Sequence, residues 1–294
     1  MKRIYYISIL LVFVAFFGCD DKRTNTSKKF NFEIAFEKSH GKATSNYEEM
    51  MAFYNAADHF SSNVHMKKYA ETDIGLPLQV ITYETAATKE NAIHVLINNG
   101  IHPGEPDGID ASMLMLKNII NEKMKIPDHL VLHIIPAYNI GGMLNRNSTS
   151  RANQNGPKAY GFRGNARNFD LNRDFIKMDT DNMRAFAEIY HDLKPDVYVE
   201  THVSNGADYQ YTLTHLLTQH NRMGHRLGQY IDRQFKPQLE ESVRKKGYLI
   251  TPYVNVFGRT PEKGFSQFED SPRYSTGYTA LWNSLGMLIE THML

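Results

Sequence analysis

The sequence predicts an α/β fold, a single domain with a mainly parallel, mixed central sheet flanked by helices. Apolar segments of strand length alternate with segments of helical spacing along almost all of the chain, as they do where helices connect parallel strands. Several of the apolar segments are nearly continuous, the pattern of strands covered on both faces. At 294 residues and 41% hydrophobic content, without repeats or long low-complexity tracts, the chain can bury one large core.

The N-terminus stands apart from that domain. Lys2 and Arg3 precede an apolar run over residues 4–17, which meets Gly18-Cys19. The run is short of the roughly 20 residues that span a bilayer, so it reads as an export signal. "FFGC" resembles a bacterial lipobox, in which the cysteine becomes the lipidated first residue of the mature protein. Cys19 is the only cysteine in the chain and has no internal disulfide partner, and lipidation gives it a role. A cleaved secretory signal with an incidental cysteine is the plainer alternative. Residues 20–29, "DDKRTNTSKK" with its final lysine, are polar and read as a flexible tether. The expected organisation is a lipoprotein signal over 1–19, a tether over 20–29 and a globular domain over 30–294. That places the protein at the cell envelope, lipid-anchored on the outer-membrane or periplasmic side. A formal net charge of +1, with no basic cluster among aromatics, argues against a nucleic-acid partner.

Within the domain, "NYEEMMAFYNAADHF" has helical spacing, and "LPLQVITYE" and "AIHVLINN" read as strands. A helix over 105–122 and the strand "HLVLHIIPAYN" follow. Residues 141–168 are rich in Gly, Asn and Arg, lack any period and are too long for a mere connection, which marks a site-forming loop. Next come a helix over 182–193, the strand "DVYVETH", a long amphipathic helix over 220–246, the strand "LITPYVNV", a short helix near 279–284 and finally "GMLIETHML".

Four features fall at strand ends or in the long loop: His102 with Glu105 in "HPGE", "NFDLNRDF" at 168–175, "ETH" at 200–202 and "IETH" at 289–292. The carboxyl ends of strands are where open α/β sheets place ligands. His202 follows "DVYV" as His102 follows "HVLI", so neighbouring strands would bring both imidazoles to one edge of the sheet. Two histidines and a carboxylate make a three-ligand zinc set with a fourth position open. Read singly, the His-x-x-Glu pair is also what a turn would contain, and His202 could be a hydrogen-bonded histidine at a strand end.

Together, "HPGE", the loop ending "DLNR", the later strand-end histidine and the near-terminal "IE" resemble the M14 family of zinc carboxypeptidases, in order and spacing, from about residue 45 onward. The resemblance implies a zinc carboxypeptidase-like fold with one zinc per chain bound by His102, Glu105 and His202. It implies that Asp170 holds the spare nitrogen of His102, that Glu290 is the general base, and that Asn172 and Arg173 hold the substrate carboxylate. An arginine upstream would stabilise the oxyanion; Arg151, Arg163 and Arg167 compete, and Arg163 in "GFRGN" is favoured. A tyrosine before the final strand would be Tyr274 or Tyr278. Two departures stand out. Asp174 replaces an asparagine common in the family, which suggests a subgroup with a different substrate, and the chain stops four residues after Glu290 where members usually continue into a last helix, as expected of a truncated C-terminus.

The chemistry is coherent on its own terms. Zinc lowers the pKa of bound water, a carboxylate beside it can move the proton to a leaving amine, and arginines can fork onto an oxyanion or a carboxylate. Other hydrolase templates are missing: the sequence has no His-Glu-x-x-His, no Gly-x-Ser-x-Gly and no cysteine outside the signal. The expected activity is hydrolysis of an amide bond next to a carboxylate, in a peptide or amide substrate with a free carboxylate. An N-acyl-amino-acid deacylase of the same architecture and a non-catalytic surface-binding lipoprotein are the alternatives.

Overall fold

The computed structural model describes residues 29–293 apart from 86, 88, 89, 207 and 208. Cys19, the signal and all of the tether but Lys29 lie outside the described residues. Among the described residues no helix is long and apolar enough to cross a membrane.

A short helix, α1 (Ala35–Lys38), leads into α2 (Tyr47–Phe60), which begins at Asn46 because that side chain accepts from the Glu49 N–H while Glu49 accepts from the Asn46 N–H. Strands β1 (Val64–Glu71), β2 (Pro77–Tyr83) and β3 (Ile93–Asn98) follow, then α3 (Asp107–Ile120), β4 (Leu130–Ile135) and the short α4 (Ile140–Leu144). Past a long irregular segment come α5 (Asp181–Leu193), β5 (Val197–Val203) and β6 (Leu213–Leu217). The remainder comprises α6 (Gly224–Tyr230), α7 (Lys236–Lys245), β7 (Ile250–Pro252), β8 (Val254–Val256), β9 (Phe265–Gln267), α8 (Ser275–Ala280) and β10 (Leu285–Thr291).

Eight strands form one mixed sheet in the order β1-β2-β4-β3-β5-β10-β6-β7. Its centre, β4-β3-β5-β10, is parallel. Alternate residues of β4 feed two cores: Leu132 and Ile134 pack with Met50, Phe53, Met113 and Leu116 of α2 and α3, whereas Ile135 packs with Met183, Phe186 and Tyr190 of α5. Both faces of the central strands are therefore apolar, which is why their sequences run as continuous hydrophobic stretches.

Several elements differ from the sequence expectation. The helix over 220–246 is broken into a 3₁₀ turn (His220–Arg222), α6, a π turn (Ile231–Phe235) and α7. Pro237, in the first turn of α7, lacks an N–H and would crowd the carbonyl four residues back, so the ladder shifts ahead of it. The strand over 249–256 is two strands divided after Pro252, and the second pairs with β9 outside the main sheet. The short helix near 279–284 lies earlier, at α8. Strands β1, β6 and β9 had no counterpart in the expectation: β1 is an edge strand whose exposed residues include Lys67, Lys68 and Glu71, and β6 and β9 span only five and three residues.

Two glycines set how closely the pieces meet behind β3 and β5. Gly100 turns the chain out of β3 at φ +65°, a conformation costly for other residues. Gly108, in the first turn of α3, faces Thr201 so closely that an added Cβ would lie 2.0 Å from Thr201 Oγ1 and 2.3 Å from its Cβ. We expect Gly108→Ala to destabilise the protein by about 1–3 kcal/mol through overpacking between α3 and β5. Urea unfolding of the metal-free chain measures this, and an unchanged midpoint would show that the helix does not approach the strand as described.

Candidate active site

The site lies at the carboxyl ends of β3, β5 and β10. Parallel pairing aligns Asn98 of β3 with Glu200 of β5, and His202 of β5 with Glu290 of β10. The chain leaving β3 turns over Gly100 and delivers His102 and then Glu105, whose N–H donates to the His102 carbonyl at 2.8 Å. His102, Glu105 and His202 are each at least 96% buried, and one ligand atom from each lies within 4.8 Å of the others.

Glu105 sits between the two imidazoles. Its Oε2 is 2.8 Å from His202 Nδ1 and accepts from the Val203 N–H at 3.1 Å, and its Oε1 is 3.3 Å from His102 Nδ1 and accepts from Arg151 Nη1 at 2.6 Å. Burial alone would push the Glu105 carboxyl up, but the charges of the two histidines and their hydrogen bonds outweigh it and hold it well below the usual carboxylate range. Burial likewise works against a charged His202, and the adjoining carboxylates of Glu105 and Glu200 reverse the balance and raise it well above its ordinary value. A buried cluster of this kind is a poor resting arrangement without a cation, and two imidazole Nδ1 atoms with a carboxylate suit zinc.

Asp170 lies behind His102, its Oδ1 2.9 Å from Nε2, and the same oxygen caps the 3₁₀ turn Leu171–Arg173 by accepting from the Asn172 N–H at 3.0 Å. Burial raises the Asp170 carboxyl, but His102 and Arg163 overcome that and hold it far below its ordinary value. The imidazole is thus fixed on one side while Nδ1 faces Glu105.

A cavity of about 200 Å³ opens onto these groups, lined also by Arg163, Asn172, Arg173, Tyr274 and Glu290. Burial pushes the Glu290 carboxyl up to about 7, partly countered by the charge of His202 and reinforced by Glu105. Asn172 presents a side-chain Oδ1 without a hydrogen-bond partner. Arg173 stacks over the Tyr274 ring at 4.9 Å.

The three competing arginines separate clearly. Arg151, 11% exposed, is tied down by Glu105, Gln154 and the carbonyls of Val203 and Ser204. Arg167 pairs with Asp73 and stacks on Phe169, and it does not line the cavity. Arg163 pairs with Asp170, remains 43% exposed and reaches within 3.3 Å of His102 Nδ1. The tyrosines separate too. Tyr274 lines the cavity, whereas Tyr278 is buried among Phe175, Tyr190 and Trp282 in the core beneath it, so it is not a substrate-facing residue here. Asp174, whose departure from the family pattern suggested a different substrate, instead accepts from the N–H groups of Asp179 and Thr180 and from the Thr180 hydroxyl, fastening the turn before α5. Residues 141–168 are fastened over the His-x-x-Glu turn: the Gly161 N–H donates to the Pro103 carbonyl, and Gln154 donates to that of Gly104.

Sequence reasoning missed Glu200, Asn205, Tyr253, Asn255 and Phe268. The last four line the cavity from loops or short strands without periodicity. Glu200 did carry a signal, because residues two apart on a strand share a face and it stands two before His202.

The sequence matches the family model described as zinc carboxypeptidase, Peptidase_M14, over residues 50–244. The chain belongs to this family. Among solved structures, a metallo-carboxypeptidase from Burkholderia cenocepacia is 17% identical with a TM-score of 0.60, the match covering 84% of this chain and 60% of that one. A metallo-carboxypeptidase from Pseudomonas aeruginosa, in complex with (2-guanidinoethylmercapto)succinic acid, is 12% identical with a TM-score of 0.61 over 84% and 60%. Carboxypeptidase A from Helicoverpa armigera is 12% identical with a TM-score of 0.62 over 84% and 64%. This chain thus shares their fold and spans about 60% of their length. No curated protein matches the sequence.

His102→Ala is expected to abolish stoichiometric zinc binding, and Asp170→Asn to keep it with an affinity about 10- to 100-fold weaker. Metal content and chelator competition read both, and a His102→Ala protein that still holds one zinc would remove His102 from the ligand set.

Proposed function

We propose that the protein is a metallocarboxypeptidase that uses one zinc ion to hydrolyse the amide bond next to a substrate's free carboxylate. The observation that carries this reading is the register of β5 and β10, which sets Glu290 beside His202 in the cavity that holds the ligand cluster and Arg173. Bound by His102, Glu105 and His202, zinc would act as a Lewis acid and ease the ionisation of water. Glu290, whose carboxyl is pushed up to about 7, is suited to take a proton from water and return it to the leaving amine near neutral pH. Arg163, partly exposed and lining the cavity, is placed to turn a donor to a developing oxyanion, whereas Arg151 is committed to protein acceptors and does not line the cavity. Arg173 and Asn172 form a fork for the terminal carboxylate, with Tyr274 stacked against the guanidinium.

The same cavity suggests which side chains it takes. Leu216 and Leu288 pair directly across β6 and β10, and with Thr276 they give the cavity buried, neutral walls. A charged terminal side chain would lose its water there without gaining a partner. Zinc-loaded protein offered peptides ending in Leu, Lys or Asp, together with N-acyl amino acids, should release C-terminal Leu with a kcat/KM about 100-fold above that for Lys or Asp, read by mass spectrometry. Glu290→Gln should retain zinc and lower kcat by about 10²- to 10⁴-fold. Release of acyl groups alone would sink the carboxypeptidase reading, and a fully active Glu290→Gln enzyme would sink the assigned base.

We also propose that the protein is exported and held at the cell envelope by a lipid on Cys19. The support is the order of Lys2-Arg3, the apolar run and Gly18-Cys19, with no other cysteine in the chain. Labelled palmitate should enter the full chain and not the Cys19→Ala variant; equal labelling of the two would refute the anchor.

A further inference from the structure

Each of the two histidines has a second ring nitrogen that needs an acceptor, and only that of His102 has been accounted for. His202 Nε2 is buried and makes no aligned hydrogen bond, yet Glu200 Oε2 stands 3.3 Å from it. Glu200 is fully buried. It sits two residues before His202 on β5, so the pleat sets both side chains on one face. Its own surroundings are organised around it: the Tyr198 hydroxyl donates to Oε1 at 3.2 Å, the Ser275 hydroxyl donates to Oε2, and Asn98 Nδ2 donates to the Tyr198 oxygen at 2.9 Å. A carboxylate sealed from water is tolerated only beside a positive charge or several donors. Here the donors come from β5 and α8, and the basic group within ion-pair distance is His202.

We propose that Glu200 is the positioning residue of His202, the counterpart of Asp170 behind His102. By accepting a hydrogen bond from Nε2–H it fixes the ring's orientation and keeps Nδ1 directed at Glu105, the side on which a metal would be held. Ser275 stands between Tyr274 and Thr276, both of which line the cavity. The one carboxylate therefore also ties the His202 ring to the segment that faces the substrate. This inference rests on the reading of His202 as a metal ligand.

Glu200→Gln in the full chain is close to isosteric and keeps one acceptor for Tyr198 or Ser275. Competition with a chelating dye should show zinc bound about 10- to 100-fold more weakly, a loss similar to that of Asp170→Asn. A Glu200→Gln protein that binds zinc as the wild type does, while His102→Ala has lost it, would overturn the role of Glu200 and leave the ligand set standing. Wild-type zinc binding in His202→Ala would instead overturn the reading of His202 as a ligand and this inference with it. Should Glu200→Gln fail to fold, two measurements still decide. Ser275→Ala removes one donor to Glu200 and should weaken zinc binding by a smaller factor, and nitrogen-15 spectra of the zinc-loaded wild type should show His202 protonated at Nε2. A proton absent from Nε2 would overturn the proposal.

Discussion

The site depends on keeping the Glu105 carboxylate ionised out of contact with water. Such a charge is costly unless hydrogen bonds and opposite charge surround it. Here a backbone N–H, a guanidinium and two imidazoles do so, and they come from three parts of the chain: Val203 and His202 from β5, Arg151 from the long loop and His102 from the turn after β3. The loop over 141–168, the end of β3 and the end of β5 are bound to one another through that carboxylate. A metal ion would join the same convergence, because both Nδ1 atoms face the Glu105 carboxylate, at 2.8 and 3.3 Å.

Around this centre the packing leaves little freedom. Helices α2 and α3 cover one face of the central strands and α5 the other, so β3 and β5 are fixed in depth as well as in register. The contact between Gly108 and Thr201 brings the first turn of α3 against β5, and Thr201 Oγ1 donates to Asn99 Oδ1 at 2.9 Å. Those contacts join the segment that carries Glu105 to the strand that carries His202. His202 and Glu290 thus stand on strands and His102 and Glu105 in the turn between β3 and α3, whereas Arg163, Tyr274 and Phe268 approach from loops, where substrate must enter and leave.

Much of this was legible in the sequence, for identifiable reasons. Near-continuous apolar runs exposed the central strands, and a histidine directly after such a run is conspicuous, which is how His102 and His202 could be found. Asp170 and Glu290 could be named from the motifs around them. Tyr274 and Tyr278 could not be told apart, since they lie four residues apart in a segment without clear period, and only packing against Phe175 and Tyr190 takes Tyr278 into the core. Asp174 looked like a substrate difference because it adjoins Arg173, but its side chain turns to Thr180. The break at Pro237 was readable in principle, and the helical period on either side concealed it.

By itself the sequence determined the local matters: an α/β alternation, a buried strand that ends in a His-x-x-Glu turn, and a second strand that ends in Thr-His. These follow from side-chain polarity and backbone preference over a few residues. The tertiary structure decided what stands beside what. It placed β10 next to β5 with Glu290 level with His202, committed Arg151 to Glu105 while leaving Arg163 partly exposed, and brought Ser275 to Glu200 across 75 residues. Backbone hydrogen bonds are the same for any pair of strands, so strand order and register are chosen only by how the side chains of both faces pack once the whole chain has come together.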